Sequence, residues 1–302
     1  MTITVKSANL EADASAKISE LIGSVDKLPT PPTVYHQITR VLDDPGASAF
    51  DIASILAEDA AMTAKILRLS NSAYYGLRKD ISSVKQAVVV IGIEGVKSLV
   101  LAASIIDAFG NGNKRDSEYT DLFWRHSLAV AFMAKIIARS IKSNDFPFHE
   151  LSFSAGILHD IGKLIFSSYL NEHHVDVLKF AGDNLVAEIV AENQIIGSNH
   201  SEAGFFLADK WSLPATLKNC IALHHHPSLV PDEGEVLPVI HLANYLVHYS
   251  DSLNAQGYCE QTTALNEDVW DFLDIPRDKQ EDFLEELNAQ FGKAETFLRL
   301  VS

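Results

Sequence analysis

Apolar residues in this chain recur at every third or fourth position and nowhere alternate convincingly with period two, which restricts the fold to packed helices. Val34, Ile38, Val41 and Leu42 form one such stripe, stopped by Asp43-Asp44-Pro45-Gly46. Ser48 with Asp51 three residues on has the form of a capping box, and it opens a second stripe through Ile52, Ile55 and Leu56. A third runs through Met62, Ile66 and Leu69 to a break at Ser70-Asn71-Ser72. Ser83 with Gln86 repeats the capping pattern ahead of residues 87–91, and a further apolar helix is predicted over 96–109. Before all of these, Pro29, Pro31 and Pro32 forbid a helix interior.

The remainder is read in the same way. A long helix is predicted over 120–140, a loop over 142–148, and helices over 150–166, 173–195 and 200–210. Leu213-Pro214 opens a helix that Pro227 must end, and Pro238 sits in the first turn of another over 236–249. Two last helices are predicted over 268–273 and 277–300. The whole is all-α, divided into a mobile leader (1–17), an N-terminal helical half (18–110), a linker near 110–119, a second helical core (118–250) and a C-terminal extension (251–302) that covers the core.

A net charge of −16 repels phosphate backbones, so a broad nucleic-acid surface is excluded, although a small nucleotide in a basic pocket is not. Two cysteines, Cys220 and Cys259, make neither a disulfide framework nor a thiolate metal site, which fits a reducing cytoplasm. No apolar run reaches the ~18 residues of a membrane span, and residues 99–106 read as part of a buried helix.

The stretch Gly156 to Phe166, GILHDIGKLIF, carries the chemistry. It sets His159 beside Asp160, with Lys163 one turn after the histidine. On a continuous helix these share a small, polar face with Gly156, opposite Ile157, Leu158, Ile161 and Ile165. Glycine is costly inside a helix, so Gly156 and Gly162 predict close backbone approach. Imidazole and carboxylate are ligands for zinc, iron, manganese and similar divalent ions. One His-Asp pair is little by itself, but other histidines fall on inward faces. His126 lies in the stripe Leu122, Ala129, Met133, Ile137; His200 starts a helix behind Asn199, with Gly204 leaving room beside it; His224 follows Cys220 and Ile221, with His225 next to it. Jointly they read as a shell. His36, His149, His173, His174, His241 and His248 read as surface or packing residues, and His226 as a helix-end cap.

In order, FWRHSLAVA, GILHDIGK, HSEAG and ALHHHP resemble the successive motifs of the HD phosphohydrolase superfamily. In the N-terminal half, LPTPPTVYHQI, AEDAAMTAKILRLSNSAYYG and SSVKQAVVVIGIEGVKSLVL resemble the HDOD family, which is related to the HD-GYP proteins. The resemblance covers roughly residues 20–250 and implies an N-terminal helical bundle packed on an HD-like helical core. It also implies a metal site of His126, His159, Asp160, His200, His224 and His225 for one or more divalent ions: Fe, Mn, Zn or Mg. The chain departs from the family's catalytic relatives, which cleave cyclic di-GMP, in two places. Asn244 stands where a final aspartate is expected, and the GYP signature is missing after His226. Two readings follow. The first is a bacterial signalling or regulatory module acting through a protein partner. The second is a metal-dependent phosphohydrolase of a nucleotide or cyclic dinucleotide, in which Asp160 and Lys163 are catalytic and Lys163 clamps a phosphate oxygen.

Overall fold

The computed structural model of the chain describes residues 33–42, 46–72, 79–110, 117–227, 234–250 and 264–301, with isolated positions 18, 20, 28, 29, 44, 75 and 229. The leader, the middle of the linker and Cys259 lie outside the described residues. Within them every regular element is a helix: α1 (Thr33–Leu42), α2 (Ala49–Ala57), α3 (Ala60–Ser70), α4 (Val84–Gly110), α5 (Ser117–Ile141), α6 (Phe146–Leu158), α7 (Ile161–Tyr169), α8 (Asn171–Asn184), α9 (Glu188–Ile195), α10 (His200–Lys210), α11 (Ala215–Leu223), α12 (Val236–Val247), α13 (Asp268–Phe272) and α14 (Lys279–Val301).

The expected local signals set several of these ends. Ser48 N–H donates to Asp51 Oδ2 at 2.9 Å and caps α2. Gln86 N–H donates to Ser83 Oγ at 3.2 Å, but the Gln86 side chain reaches back to Ser82 N–H, one residue beyond the predicted partner. Asn199 Oδ1 accepts from Glu202 N–H at 3.1 Å and caps α10. Gly92, at φ 81° and ψ 164°, breaks α4, which explains why its apolar pattern read as two helices. Against expectation, α4 as a unit is long and apolar enough to cross a membrane. Its Val96, Leu99, Val100, Ala103 and Ile106 are nevertheless buried against the rest of the protein, as a core helix requires.

Helix α5 is the central pillar, with α6, α12 and α14 packed along it, while α4 joins α2 and α3 to α6. One contiguous apolar core runs through both halves, from Ile38, Ile52 and Ile66 through Phe132 and Phe153 to Leu242 and Trp270. Polar ties cross between the halves: Ser98 Oγ donates to Glu150 O at 3.1 Å, Ser154 Oγ donates to Ser98 Oγ at 2.8 Å, and Trp211 Nε1 donates to Pro29 O at 3.0 Å. In the C-terminal segment Trp270, Phe283 and Leu287 are buried against the core.

Two predicted helices are each divided. The reading over 150–166 breaks at His159-Asp160, where α6 ends and α7 begins, Asp160 having φ −102° and ψ 11°. The reading over 173–195 breaks at Leu185, which adopts φ 54° and lets Val186 N–H donate back to Ala181 O at 3.1 Å. Left-handed backbone at a leucine gives no signal in a pattern search, because glycine or asparagine is the residue usually sought there.

Candidate metal centre

Five elements deliver the polar side chains to one point. His126 comes from the middle of α5, His159 and Asp160 from the α6–α7 junction, Lys163 from α7, His200 from the first residue of α10, and His224 and His225 from the end of α11. The junction matters because Asp160 occupies the N-cap position of α7, yet its side chain makes no capping bond there. Its carboxylate is turned to the centre instead.

Close backbone approach makes the convergence possible, as Gly156 and Gly162 suggested. A Cβ on Gly156 would stand 2.5 Å from Ala131 Cα, which locks α6 onto the histidine-bearing stretch of α5. A Cβ on Gly162 would stand 1.9 Å from His200 O, so α7 and α10 touch through their backbones. Gly204 faces the same seam, 3.2 Å from Gly162 N when given a Cβ, and that Cβ would also meet Ile221 Cγ2 at 2.6 Å.

Around the carboxylate, His200 Nε2 lies 3.3 Å and His224 Nε2 3.2 Å from Asp160 Oδ1, while His159 Nε2 lies 3.4 Å and His126 Nε2 3.7 Å from Oδ2. His225 Nε2 is 2.9 Å from His200 Nε2. Lys163 Nζ is 2.9 Å from Asp160 Oδ2 and 3.2 Å from Glu188 Oε2, so its ammonium is held between two carboxylates. His126, His159, Asp160, Lys163, His200 and His224 are all buried, and His225 alone of the set is partly exposed.

The ring tautomers follow from what each Nδ1 touches. His159 Nδ1 sits 2.8 Å from Gly156 O and His224 Nδ1 sits 3.0 Å from Ile221 O. A carbonyl only accepts, so both Nδ1 atoms carry the proton and both Nε2 atoms present lone pairs. His200 does the same through a carboxylate: Nδ1 donates to Glu192 Oε2 at 2.6 Å, and the same oxygen takes His200 N–H at 2.9 Å. His159 Nε2, His224 Nε2 and Asp160 Oδ1 are buried with no hydrogen-bond partner. Lone pairs facing a carboxylate at this range repel unless a cation stands between them. Burial, only partly offset by Asp160, pushes the His224 ring down to about 4, so a proton does not fill that role at neutral pH. Ligand atoms about 2.1 Å from a common ion stand roughly 3–4 Å apart. Two sets meet that scale, Asp160 with His200, His224 and His225, and Asp160 with His126 and His159, each having its ligand atoms within 4.8 Å of one another. The residues present therefore fit a divalent metal.

Several contributors were not legible in the sequence. Glu192 orients His200, and Glu188 holds Lys163. Two acids one turn apart ahead of His200 are the one trace they leave in the sequence. His241, read as surface or packing, is buried; its Nδ1 donates to His224 O at 2.6 Å and its Nε2 accepts from Asn266 N–H at 3.0 Å. His248 lies with its ring 5.4 Å from that of His126. His149 and His174 are buried rather than exposed, in packing roles away from the centre. Outer carboxylates raise the basicity of a ligating imidazole and fix its orientation. Glu192→Gln is therefore expected to weaken metal binding by about 10–100-fold, read by titrating the metal-free protein with Zn(II). Unchanged affinity would remove Glu192 from the centre.

Fold and centre together define a helical module built around a buried His/Asp cluster that can hold a metal ion. The chain belongs to the HDOD domain family, which it matches over residues 28–227. Among solved structures it is similar to an HDOD domain protein of unknown function from Geobacter sulfurreducens (24% identity, 96% of this chain and 98% of that one, TM-score 0.77). It is also similar to a candidate signal-transduction protein from Marinobacter aquaeolei VT8 (19% identity, 96% of this chain and 66% of that one, TM-score 0.78). An uncharacterised protein of Treponema pallidum (strain Nichols) is 22% identical over 250 residues, 82% of this chain and 48% of the relative, so the chain spans about half of that relative's length.

Proposed function

We propose that this chain is a regulatory HDOD protein of bacterial signal transduction, in which a metal-holding centre fastens the helices and the output is contact with a partner protein. The observation that carries this reading is the state of Lys163. Its ammonium is buried and engaged by Asp160 and Glu188, so the one lysine of the cluster is turned to the protein's own carboxylates and away from any incoming phosphate. Asn244 adds to it. This neutral amide is buried on α12 with its Oδ1 lacking a partner, where the resemblance calls for an acidic ligand. The fold likeness to the Marinobacter protein is in keeping with such a role.

The test has two arms. Elemental analysis of the purified chain is expected to find a divalent metal, and chelation is expected to lower the melting temperature by about 4 °C, as for loss of a ligand held at roughly 100 times its Kd. Metal-loaded protein is expected to leave nucleotides and cyclic dinucleotides intact, while the full chain used as bait recovers a specific protein from cells. The second reading, a phosphohydrolase, draws on the retention of His126, His159, Asp160, His200, His224 and His225 in one place. A divalent ion bound there would supply Lewis acidity and an activated water. Turnover that disappears in Asp160→Ala would replace the regulatory reading with that one.

A further inference from the structure

Asp160 divides its surroundings into two unequal halves. On the Oδ1 side are His200 Nε2 at 3.3 Å and His224 Nε2 at 3.2 Å, with His225 Nε2 2.9 Å from His200 Nε2. On the Oδ2 side are His159 Nε2 at 3.4 Å, His126 Nε2 at 3.7 Å and, closer than either, Lys163 Nζ at 2.9 Å. We propose that the centre takes one divalent cation per chain, held on the Oδ1 side by Asp160, His200, His224 and His225, and that the Lys163 ammonium is a built-in second cation on the Oδ2 side. This deepens the reading above and rests on its claim that a metal is held here.

Three observations carry it. The Oδ1 side supplies four ligand atoms from three imidazoles and a carboxylate, enough to close a tetrahedral shell. The Oδ2 side supplies three, and Asn244 is a neutral amide where the resemblance expects a charged fourth. Second, a metal on Oδ2 would have to share that oxygen with an ammonium already bonded to it, and like charges that close repel strongly when buried. Third, the charge balance closes with one ion. At the centre the buried acids are Asp160, Glu188 and Glu192 and the buried base is Lys163, which leaves two negative charges among the rings, while buried Glu150 has its own partner in Lys135. One dication cancels them, whereas a second would strand two positive charges away from water.

The full-length chain, stripped with chelator, is titrated with Co(II) and followed through the visible absorption of the bound ion, with elemental analysis of the loaded protein as a check. Saturation is expected at one equivalent. His225→Asn is expected to weaken Co(II) binding at least about tenfold more than His126→Asn does. Lys163→Gln, which removes the resident cation, is expected to admit a second equivalent. Saturation of the unaltered chain at two equivalents would overturn the proposal while leaving the regulatory reading intact. So would a greater loss in His126→Asn than in His225→Asn, or a Lys163→Gln chain still saturating at one. Absence of any Co(II) uptake would sink the metal-holding part of that reading along with the proposal. The stoichiometry of the unaltered chain decides the matter even where a variant fails to fold, which circular dichroism would reveal.

Discussion

Gly162→Ala is expected to cost about 4 kcal/mol or more and to lower the melting temperature by about 6 °C or more, beyond what a single methyl group usually does. The three nearest atoms to the added carbon would all be backbone: His200 O at 1.9 Å, Gly204 N at 2.7 Å and His200 C at 2.7 Å. No rotamer change relieves contact with a main chain, so α7 and α10 must separate by more than an ångström. That separation pulls His200 away from Asp160, and metal uptake is expected to fall with stability. Gly204→Ala is the internal control. Its nearest clash is with Ile221 Cγ2, a side-chain atom that can shift, and the cost is expected to be about 1–3 kcal/mol. Thermal melts that place Gly162→Ala at or above Gly204→Ala would show that the two helices do not meet as described.

The metal-free protein is expected to be acid-labile between pH 6.5 and about 4. Burial holds the His224 ring down to about 4, against 6.5 for an ordinary histidine. A depressed imidazole contributes stability that is complete above its unfolded value and is lost as pH falls toward the folded one. At 1.36 kcal/mol per unit, His224 alone accounts for about 3 kcal/mol over that window. His126, lowered by burial and then by His159, and His225, lowered by burial and then by His224, act in the same direction. His200 runs the other way. Burial disfavours its charged ring, but Glu192 and then Asp160 outweigh that and raise it, so its contribution is full below 6.5 and fades as pH rises through the raised value. Three rings against one give net loss on acidification. Urea unfolding of chelated protein at pH 7.5, 6.0 and 4.5 measures it, and a midpoint that holds steady across the series would rule out neutral buried histidines at the centre.

How much of this could be read beforehand depends on whether a feature is written locally. The all-helical fold was legible because apolar spacing along Val34 to Leu42, or Met62 to Leu69, reports one helix at a time. So was the need for contact at Gly156 and Gly162, since a helix-interior glycine asks for a reason. The break at His159-Asp160 was not, because Ile157, Leu158, Ile161 and Ile165 keep helical spacing across it while the backbone turns. Nor were the outer acids. Glu188 and Glu192 look like an ordinary solvated face until α9 is laid against Lys163 and His200, and the break ahead of α9 falls at Leu185, a residue type that gives no warning of left-handed backbone. His241 was hidden for a related reason: its two partners, His224 O and Asn266 N–H, are distant along the chain.

The partial exposure of His225 has a kinetic consequence. Every other side chain around the Asp160 carboxylate is sealed, and the glycine seam between α7 and α10 leaves no slack for water on that flank. Traffic between the centre and solvent therefore passes the rim where this ring stands. Replacing this ring by a smaller side chain, as in His225→Ala, would remove a ligand and widen that rim together, so an ion bound inside would be lost to a chelator faster than from the unaltered chain.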